Sequence, residues 1–142
     1  MERLPEFWDW LVAMGEGRRV QVPWELYEKL TRTDDDLARW LKDNKDVLLL
    51  REELIPKLIR RVVHEGYAPD LTEDELEKLN EDPFLVAYAL ADAEYRCVVT
   101  TEVSKPTRAR TNRHLPDVCR DFNVPCCDTF ELIRTLDFRT QP

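Results

Sequence analysis

The feature that most constrains the fold is an apolar segment, DPFLVAYAL, that is followed a few residues later by the run RCVVTT. The first segment is apolar nearly all round, and we expect a buried helix with Asp82 as its N-cap and Pro83 at its first position. The second, residues 96–101, is β-branched without alternation, which is typical of an interior strand of a parallel sheet. Together the two segments predict an α/β fold.

Helical segments and short apolar runs alternate along the rest of the chain. The patterns predict helices at residues 5–14, after Pro23, within 31–44, at 54–66, 72–80 and 115–122, and after Asp128. Gly66 should close the helix at 54–66, and capping boxes are expected at Thr72 and at Asp128. Strands are predicted at 18–22, 46–50 and 124–128. This alternation is typical of α/β proteins with a parallel sheet. Proline and glycine do not cluster at any boundary, so we expect one domain over residues 1–142.

Composition and charge exclude several classes of protein. No segment approaches the roughly 18 consecutive apolar residues of a membrane span, and the start lacks a signal peptide pattern, so we expect a soluble, cytoplasmic protein. The net charge of −8 argues against a general nucleic-acid coat protein. Between Ser104 and Arg120, however, five basic residues stand against the single acid Asp117. A local contact with nucleic acid therefore stays open.

The cysteines Cys97, Cys119, Cys126 and Cys127 include no C-x-x-C pair. In such a chain we expect thiols at apolar positions to be buried small hydrophobic groups. A zinc site that combines His114 with the last three cysteines is the alternative, but its spacing fits no standard pattern. The same spacing disfavours a thiol-based redox protein.

Two carboxylates stand where predicted buried elements meet solvent. In an open parallel sheet, functional groups gather at the carboxyl ends of the strands, and Glu102 follows the predicted strand directly. Asp82 opens the preceding helix and can point to the same edge. Converging carboxylates repel each other, and their hard oxygen atoms suit Mg²⁺ or Mn²⁺. The simpler alternative makes Asp82 an ordinary N-cap and Glu102 a solvated loop residue.

The order of the motifs resembles that of PIN-like nuclease domains. The segments that carry the resemblance are FWDWL, VPWELYEKLTRTDDDLARWLKD, EDPFLVAYALADAEYRCVVTTE and HLPDVCRDFNVPCCDTFELIRTL, and they cover nearly the whole chain. The resemblance implies a three-layer α/β/α fold with a short parallel sheet. It also implies a Mg²⁺- or Mn²⁺-dependent endoribonuclease, often the toxin of a type II toxin–antitoxin pair with an antitoxin protein as partner.

The resemblance also implies roles for individual residues. Asp82, Glu102 and Asp117 match the acids that hold metal in the family and activate water. The acid of the early helix is assigned to Glu28, with Glu25 in reserve; in the family a leucine usually follows this acid, whereas Lys29 follows Glu28.

The basic stretch after Glu102 is expected to contact RNA phosphates through Lys105, Arg108, Arg110 and Arg113. Two alternatives remain open for these side chains. They form either a solvated loop or a docking site for an acidic antitoxin tail, because arginine binds carboxylate as well as phosphate.

The sequence departs from the family at its start. Family members begin with a strand that carries a metal-binding aspartate, and here ERLPEFWDWL matches the helix after that strand. Either the start codon is misassigned, or the strand and its aspartate are lost. In the second case the alternative function is a non-catalytic PIN-like interaction module. A sheet without this strand has unpaired backbone groups, so we expect a homodimer or a hetero-complex, with Phe7, Trp8 and Trp10 available to a partner.

Overall fold

The structure is a computed structural model and describes residues 5–136. The chain divides into two compact units, the first up to Glu52 and the second from Glu53 to Leu136. Both are mainly helical, and the second contains a two-stranded parallel sheet. The predicted α/β class is confirmed at this level, whereas the three-layer PIN-like arrangement and the single domain stay predictions. Within the described part, no helix is long and apolar enough to cross a membrane.

The first unit is built from short helices around a small core. Its helices are α1 (Pro5–Glu16), α2 (Trp24–Leu30), α3 (Asp36–Asp43) and α4 (Lys45–Leu48). Helix α3 begins after Asp35, whose carboxylate accepts the amide of Ala38 at 2.8 Å, as expected for an N-cap. The buried core of the first unit contains Tyr27, Leu41, Leu48 and Leu49.

The strands predicted in the first unit are mostly wrong. Of residues 18–22, only Val22 makes a strand-like contact, an isolated parallel bridge to Leu49. Most of the run 46–50 belongs to helix α4. A short apolar run fits a buried helical turn as well as a strand, and length alone could not separate the two here.

The aromatic residues of α1 contact each other within the first unit. The Phe7 and Trp8 rings meet at 5.5 Å between centroids, and Trp8 meets Trp40 of α3 edge to face at 4.9 Å. Phe7, Trp8 and Trp10 are therefore half-buried. Packing inside the unit covers part of each ring, and their availability to a partner stays a prediction.

The second unit contains the sheet and the helices around it. Its elements are α5 (Pro56–Arg61), a π-helical segment (Val62–Tyr67), α6 (Glu73–Lys78), α7 (Asp82–Leu90), β1 (Val98–Val99), a 3₁₀ turn (Arg110–Asn112), α8 (Leu115–Asp121), β2 (Cys126–Cys127) and α9 (Thr129–Thr135). In the parallel sheet, Val98 lies opposite Cys126 and Val99 opposite Cys127. Both predicted capping boxes, at Thr72 and Asp128, are confirmed with their reciprocal hydrogen bonds.

The segment DPFLVAYAL forms a buried helix, as predicted, but the helix starts one residue earlier than predicted. The N-cap of α7 is Glu81, Asp82 is the first helical residue and Pro83 the second. The predicted strand 96–101 shortens to β1. In β1, Val98 is buried but Val99 is 40% exposed, so the strand is not interior on both faces.

Gly66 lies inside the π-helical segment and not after the end of the helix, as the sequence had suggested. A Cβ atom at Gly66 would meet Phe122 at 2.9 Å and Val118 at 3.0 Å. The glycine is therefore needed because helix α8 and the residue after it pack directly on this backbone. The close approach brings Tyr67, the next residue, into the core of the second unit.

Candidate functional site

Glu102 lies beyond the carboxyl end of β1 and has a defined role. Its Oε2 atom accepts the backbone amide of Leu115, the first residue of α8, at 2.7 Å. The amide of Glu102 in turn donates to the Thr100 hydroxyl at 3.1 Å. Because a helix N-terminus has unpaired amides and a positive partial charge, a carboxylate is stabilised there. Glu102 is thus more than a solvated loop residue.

Asp117 is a buried acid whose carboxylate is surrounded by donors. Only 1% of the residue is exposed. Its oxygens accept hydrogen bonds from the Ser104 hydroxyl, from the Lys105 amide at 2.7 Å and from the Arg120 guanidinium at 3.0 Å. Burial by itself would raise the pKa of Asp117, but these donors favour the charged form more strongly and hold the pKa below its usual value.

The bonds of Asp117 fix the loop that leaves β1. Ser104 and Lys105 follow Glu102 by two and three residues, and both donate to the same carboxylate. The resemblance implied that Asp117 is a metal ligand, and that role stays a prediction. In the structure its hydrogen bonds orient the loop that follows Glu102.

Asp82 and Glu102 act on one buried hydroxyl, that of Tyr67. Tyr67 is 8% exposed, and its hydroxyl is buried and has no hydrogen-bond partner within the described residues. Burial raises the pKa of this phenol; the charges of Asp82 and Glu102 raise it further, and Arg113 opposes them. Both carboxylates are therefore electrostatically coupled to the same polar atom. A buried hydroxyl without a partner costs about 1–3 kcal/mol, so the site needs an explanation.

The acids of the first unit differ from each other in burial. Glu28, the acid chosen from the sequence, is exposed and forms an (i, i+4) ion pair with Arg32 at 3.4 Å. Glu25 is half-buried, and its Oε1 atom is fully buried. Glu25 also directly precedes Leu26, which is the family spacing that Glu28 lacks. This signal was present in the sequence and favours Glu25.

Arg110 binds acids of its own unit. Its guanidinium contacts Asp70 at 2.8 Å and both carboxylate oxygens of Glu75 at 3.1 Å. The hydrogen bonds from Arg110, together with the Thr72 amide, lower the pKa of Glu75 to about 2. Arg110 therefore holds the 3₁₀ turn against α6, a role that the expected contact with RNA phosphate would have to break.

Arg113 also has intramolecular partners, whereas two other basic residues point outward. Arg113 donates to the Gly66 carbonyl at 2.6 Å and to Asp121 at 2.7 Å, and its side chain is only 16% exposed. Lys105 and Arg108 are exposed. Of the four basic residues predicted to contact RNA, Lys105 and Arg108 are the two best placed to reach a partner.

The cysteines lie together around the sheet as two pairs. The thiol of Cys97 is coupled electrostatically to that of Cys127, and the thiol of Cys119 to that of Cys126. Cys119 is buried as expected, Cys126 and Cys127 are half-buried, and Cys97 is exposed, contrary to expectation. Partial burial of its thiol and the interaction with Cys127 nevertheless raise the pKa of Cys97 to about 12. The thiol is therefore protonated at neutral pH.

Nearly the whole chain matches a known family. A family model described as "Domain of unknown function (DUF4411)" matches residues 1–140. The chain belongs to the DUF4411 family. The match covers both units, and the description carries no activity that could be transferred to the site. Neither the curated proteins nor the solved structures contain a match.

The predicted metal ligands of this DUF4411 chain can be tested against the geometry. Within residues 5–136, no group of three or more His, Cys, Asp or Glu side chains is placed to hold a metal ion. Both oxygens of Asp117 accept hydrogen bonds, and Glu28 forms a surface ion pair. Of the other predicted ligands, Asp82 and Glu102 both belong to the second unit, and the charges of both raise the pKa of Tyr67. Because Mg²⁺ is usually bound by one or two carboxylates with water and substrate phosphates, this pair fits such an ion.

A cleft of about 290 Å³ opens at the carboxyl ends of both strands of the DUF4411 chain. Its lining includes Thr100, Glu102, Ser104, Cys127 and Asp128. The position agrees with the rule that α/β sheets bind ligands beyond the carboxyl ends of their strands. Asp128 is one acid of this cleft that the sequence had assigned only to a helix cap. The cleft gives a small polar ligand access to Glu102.

Proposed function

We propose that this protein is a metal-dependent endoribonuclease of the PIN-like type, with its reaction centre at Asp82 and Glu102. The observation that supports the proposal is that Glu102 lines a cleft beyond the carboxyl ends of both strands, while its charge and that of Asp82 both raise the pKa of the buried Tyr67 hydroxyl. Two hard oxygen ligands suit Mg²⁺ or Mn²⁺. When bound, such an ion polarises a phosphodiester and lowers the pKa of water.

The proposal assigns a different role to each group of residues. Asp82 and Glu102 hold the cation. Asp117 is a positioning residue, because its bonds to Ser104 and Lys105 fix the loop after Glu102. The exposed side chains of Lys105 and Arg108 would meet the RNA phosphates beside the acids.

RNA cleavage by the purified protein tests the proposal. We expect cleavage that requires Mn²⁺ or Mg²⁺ and stops with a chelator. Asp82→Asn and Glu102→Gln should each lower the rate by more than about 100-fold, since loss of groups that merely orient metal ligands already costs about 10–100-fold. Asp92→Asn, which changes an exposed acid after α7, is the matched control and should cleave normally. Cleavage that continues in the chelator would refute the proposal.

A second candidate function is a non-catalytic interaction module. The observation in its favour is that the charged groups of Asp117, Arg110 and Arg113 already form hydrogen bonds within the chain. Such a module would bind neither Mn²⁺ nor Mg²⁺ at Asp82 and would leave RNA intact. The cleavage experiment therefore separates the two functions.

A further inference from the structure

Tyr67 has an unusual environment for a core tyrosine. It ends the π-helical segment Val62–Tyr67, is 8% exposed, and its buried hydroxyl has no hydrogen-bond partner within the described residues. Buried polar groups in proteins nearly always have a partner, and an exception calls for a water, an ion or a functional role. Single π-helical turns within helices are also frequent at functional sites.

The charged groups around this hydroxyl indicate which kind of ligand could form a hydrogen bond with it. Asp82 and Glu102 are the negative charges that act on it, and Arg113 is the positive one. The guanidinium of Arg113 is already bonded to the Gly66 carbonyl at 2.6 Å and to Asp121 at 2.7 Å. A phenol can donate one hydrogen bond and accept others. A hydrated cation beside two carboxylates would offer it a partner of the right polarity.

We infer that Tyr67 is a positioning residue of the acidic site, whose hydroxyl hydrogen-bonds to the hydration water of a divalent cation bound by Asp82 and Glu102. The inference rests on the proposed function for the identity of the site. It adds a residue that no motif of the sequence had indicated. Groups that hydrogen-bond around a bound metal commonly tune its affinity without ligating it.

Phenylalanine at position 67 would fill the same space without a polar atom. In the metal-free protein, Tyr67→Phe therefore removes a buried hydroxyl that gains nothing from its surroundings, and stability should stay the same or rise. In the presence of the cation, the same change removes a hydrogen bond, and affinity should fall. A purely structural tyrosine would not show these opposite responses.

Calorimetric titration with Mn²⁺ and thermal unfolding in a chelator provide the two measurements. We expect Tyr67→Phe to raise the Kd for Mn²⁺ roughly tenfold and to leave Tm in the chelator unchanged or higher. Tyr27→Phe is the matched control, since Tyr27 is a buried tyrosine of the first unit at 6% exposure, and it should keep the wild-type Kd.

The outcomes of this experiment separate the inference from the proposed function. An unchanged Kd in Tyr67→Phe, a lower Tm in the chelator, or no Mn²⁺ binding by the wild type would overturn the inference. If Tyr67→Phe weakens Mn²⁺ binding but the wild type cleaves no RNA, the inference stands and the proposed function fails. If the wild type cleaves RNA while Tyr67→Phe binds Mn²⁺ normally, the proposed function stands and the inference fails.

Discussion

The buried carboxylate of Asp117 accepts a hydrogen bond from the backbone amide of Lys105, with 2.7 Å between Oδ2 and the nitrogen. This bond joins the first turn of α8 to the loop that follows Glu102. Together with the Ser104 hydroxyl and the Arg120 guanidinium, it makes Asp117 the acid on which the conformation of the loop depends.

Replacement of Asp117 by alanine should destabilise the protein strongly. The change leaves the Lys105 amide and the Ser104 hydroxyl without their acceptor, and bonds to a charged group contribute about 1.5–3 kcal/mol each. We expect the free energy of unfolding in urea to fall by about 2–4 kcal/mol in total. Asp92→Ala, at an exposed position, should change it by less than about 0.5 kcal/mol. Equal effects of the two changes would contradict this role for Asp117.

The contribution of Asp117 should also depend on pH. Its pKa is lower in the folded protein than the unfolded value of about 3.9. The unfolded chain therefore takes up the proton first, so the stability gained is complete above the unfolded pKa and is lost as pH falls through the folded pKa. The difference in unfolding free energy between wild type and Asp117→Asn should stay constant from pH 7 to about 5 and shrink below about 4. A difference that grows on acidification would have the wrong sign.

Gly66→Ala should destabilise the second unit. A Cβ atom there would lie 2.9 Å from Phe122 and 3.0 Å from Val118, both of which are in the core. We expect a loss of about 1–3 kcal/mol in the free energy of unfolding, the usual cost of overpacking. Gly17→Ala is a matched control because the nearest atoms to its Cβ would lie 3.8 Å away. A neutral Gly66→Ala would show that α8 moves aside easily.

The proposed RNA binding should not depend equally on all the basic residues after Glu102. The double variant with Lys105→Ala and Arg108→Ala should weaken RNA binding and reduce its salt dependence, since two exposed phosphate contacts are lost. Arg110→Ala should have a smaller effect on affinity, because Arg110 already binds Asp70 and Glu75. Fluorescence anisotropy over a range of KCl concentrations provides the test, with the exposed Lys57→Ala as control. A dominant effect of Arg110 would show that its ion pairs open to bind RNA.

Local signals predicted the helices and their ends better than the strands. The capping boxes at Thr72 and Asp128 were visible because both partners lie three residues apart in the chain. The run 46–50 was misassigned because its hydrophobicity fits either structure. Its conformation depends on the Val47 and Leu48 amides, which donate to the Asn44 carbonyl, and on the bridge between Leu49 and Val22. A bridge between residues distant in sequence leaves no periodic pattern.

The site could be predicted only in part for a similar reason. The sequence indicated Asp82, Glu102 and Asp117, but the donors that surround Asp117 come from residues up to 13 positions away. Tyr67 gave no signal, since a tyrosine at the end of an amphipathic helix is usually a core residue. Its environment is created by packing against elements that are distant in sequence.

Binding of Mn²⁺ to the metal-free protein, measured by calorimetry, is the most direct test of the central claim that Asp82 and Glu102 form a divalent cation site. The account predicts binding by the wild type and by Asp92→Asn, and loss of binding in both Asp82→Asn and Glu102→Gln, with all four proteins folded. Wild-type protein that binds no Mn²⁺, or an Asp82→Asn variant that binds it as tightly as the wild type, would contradict the account.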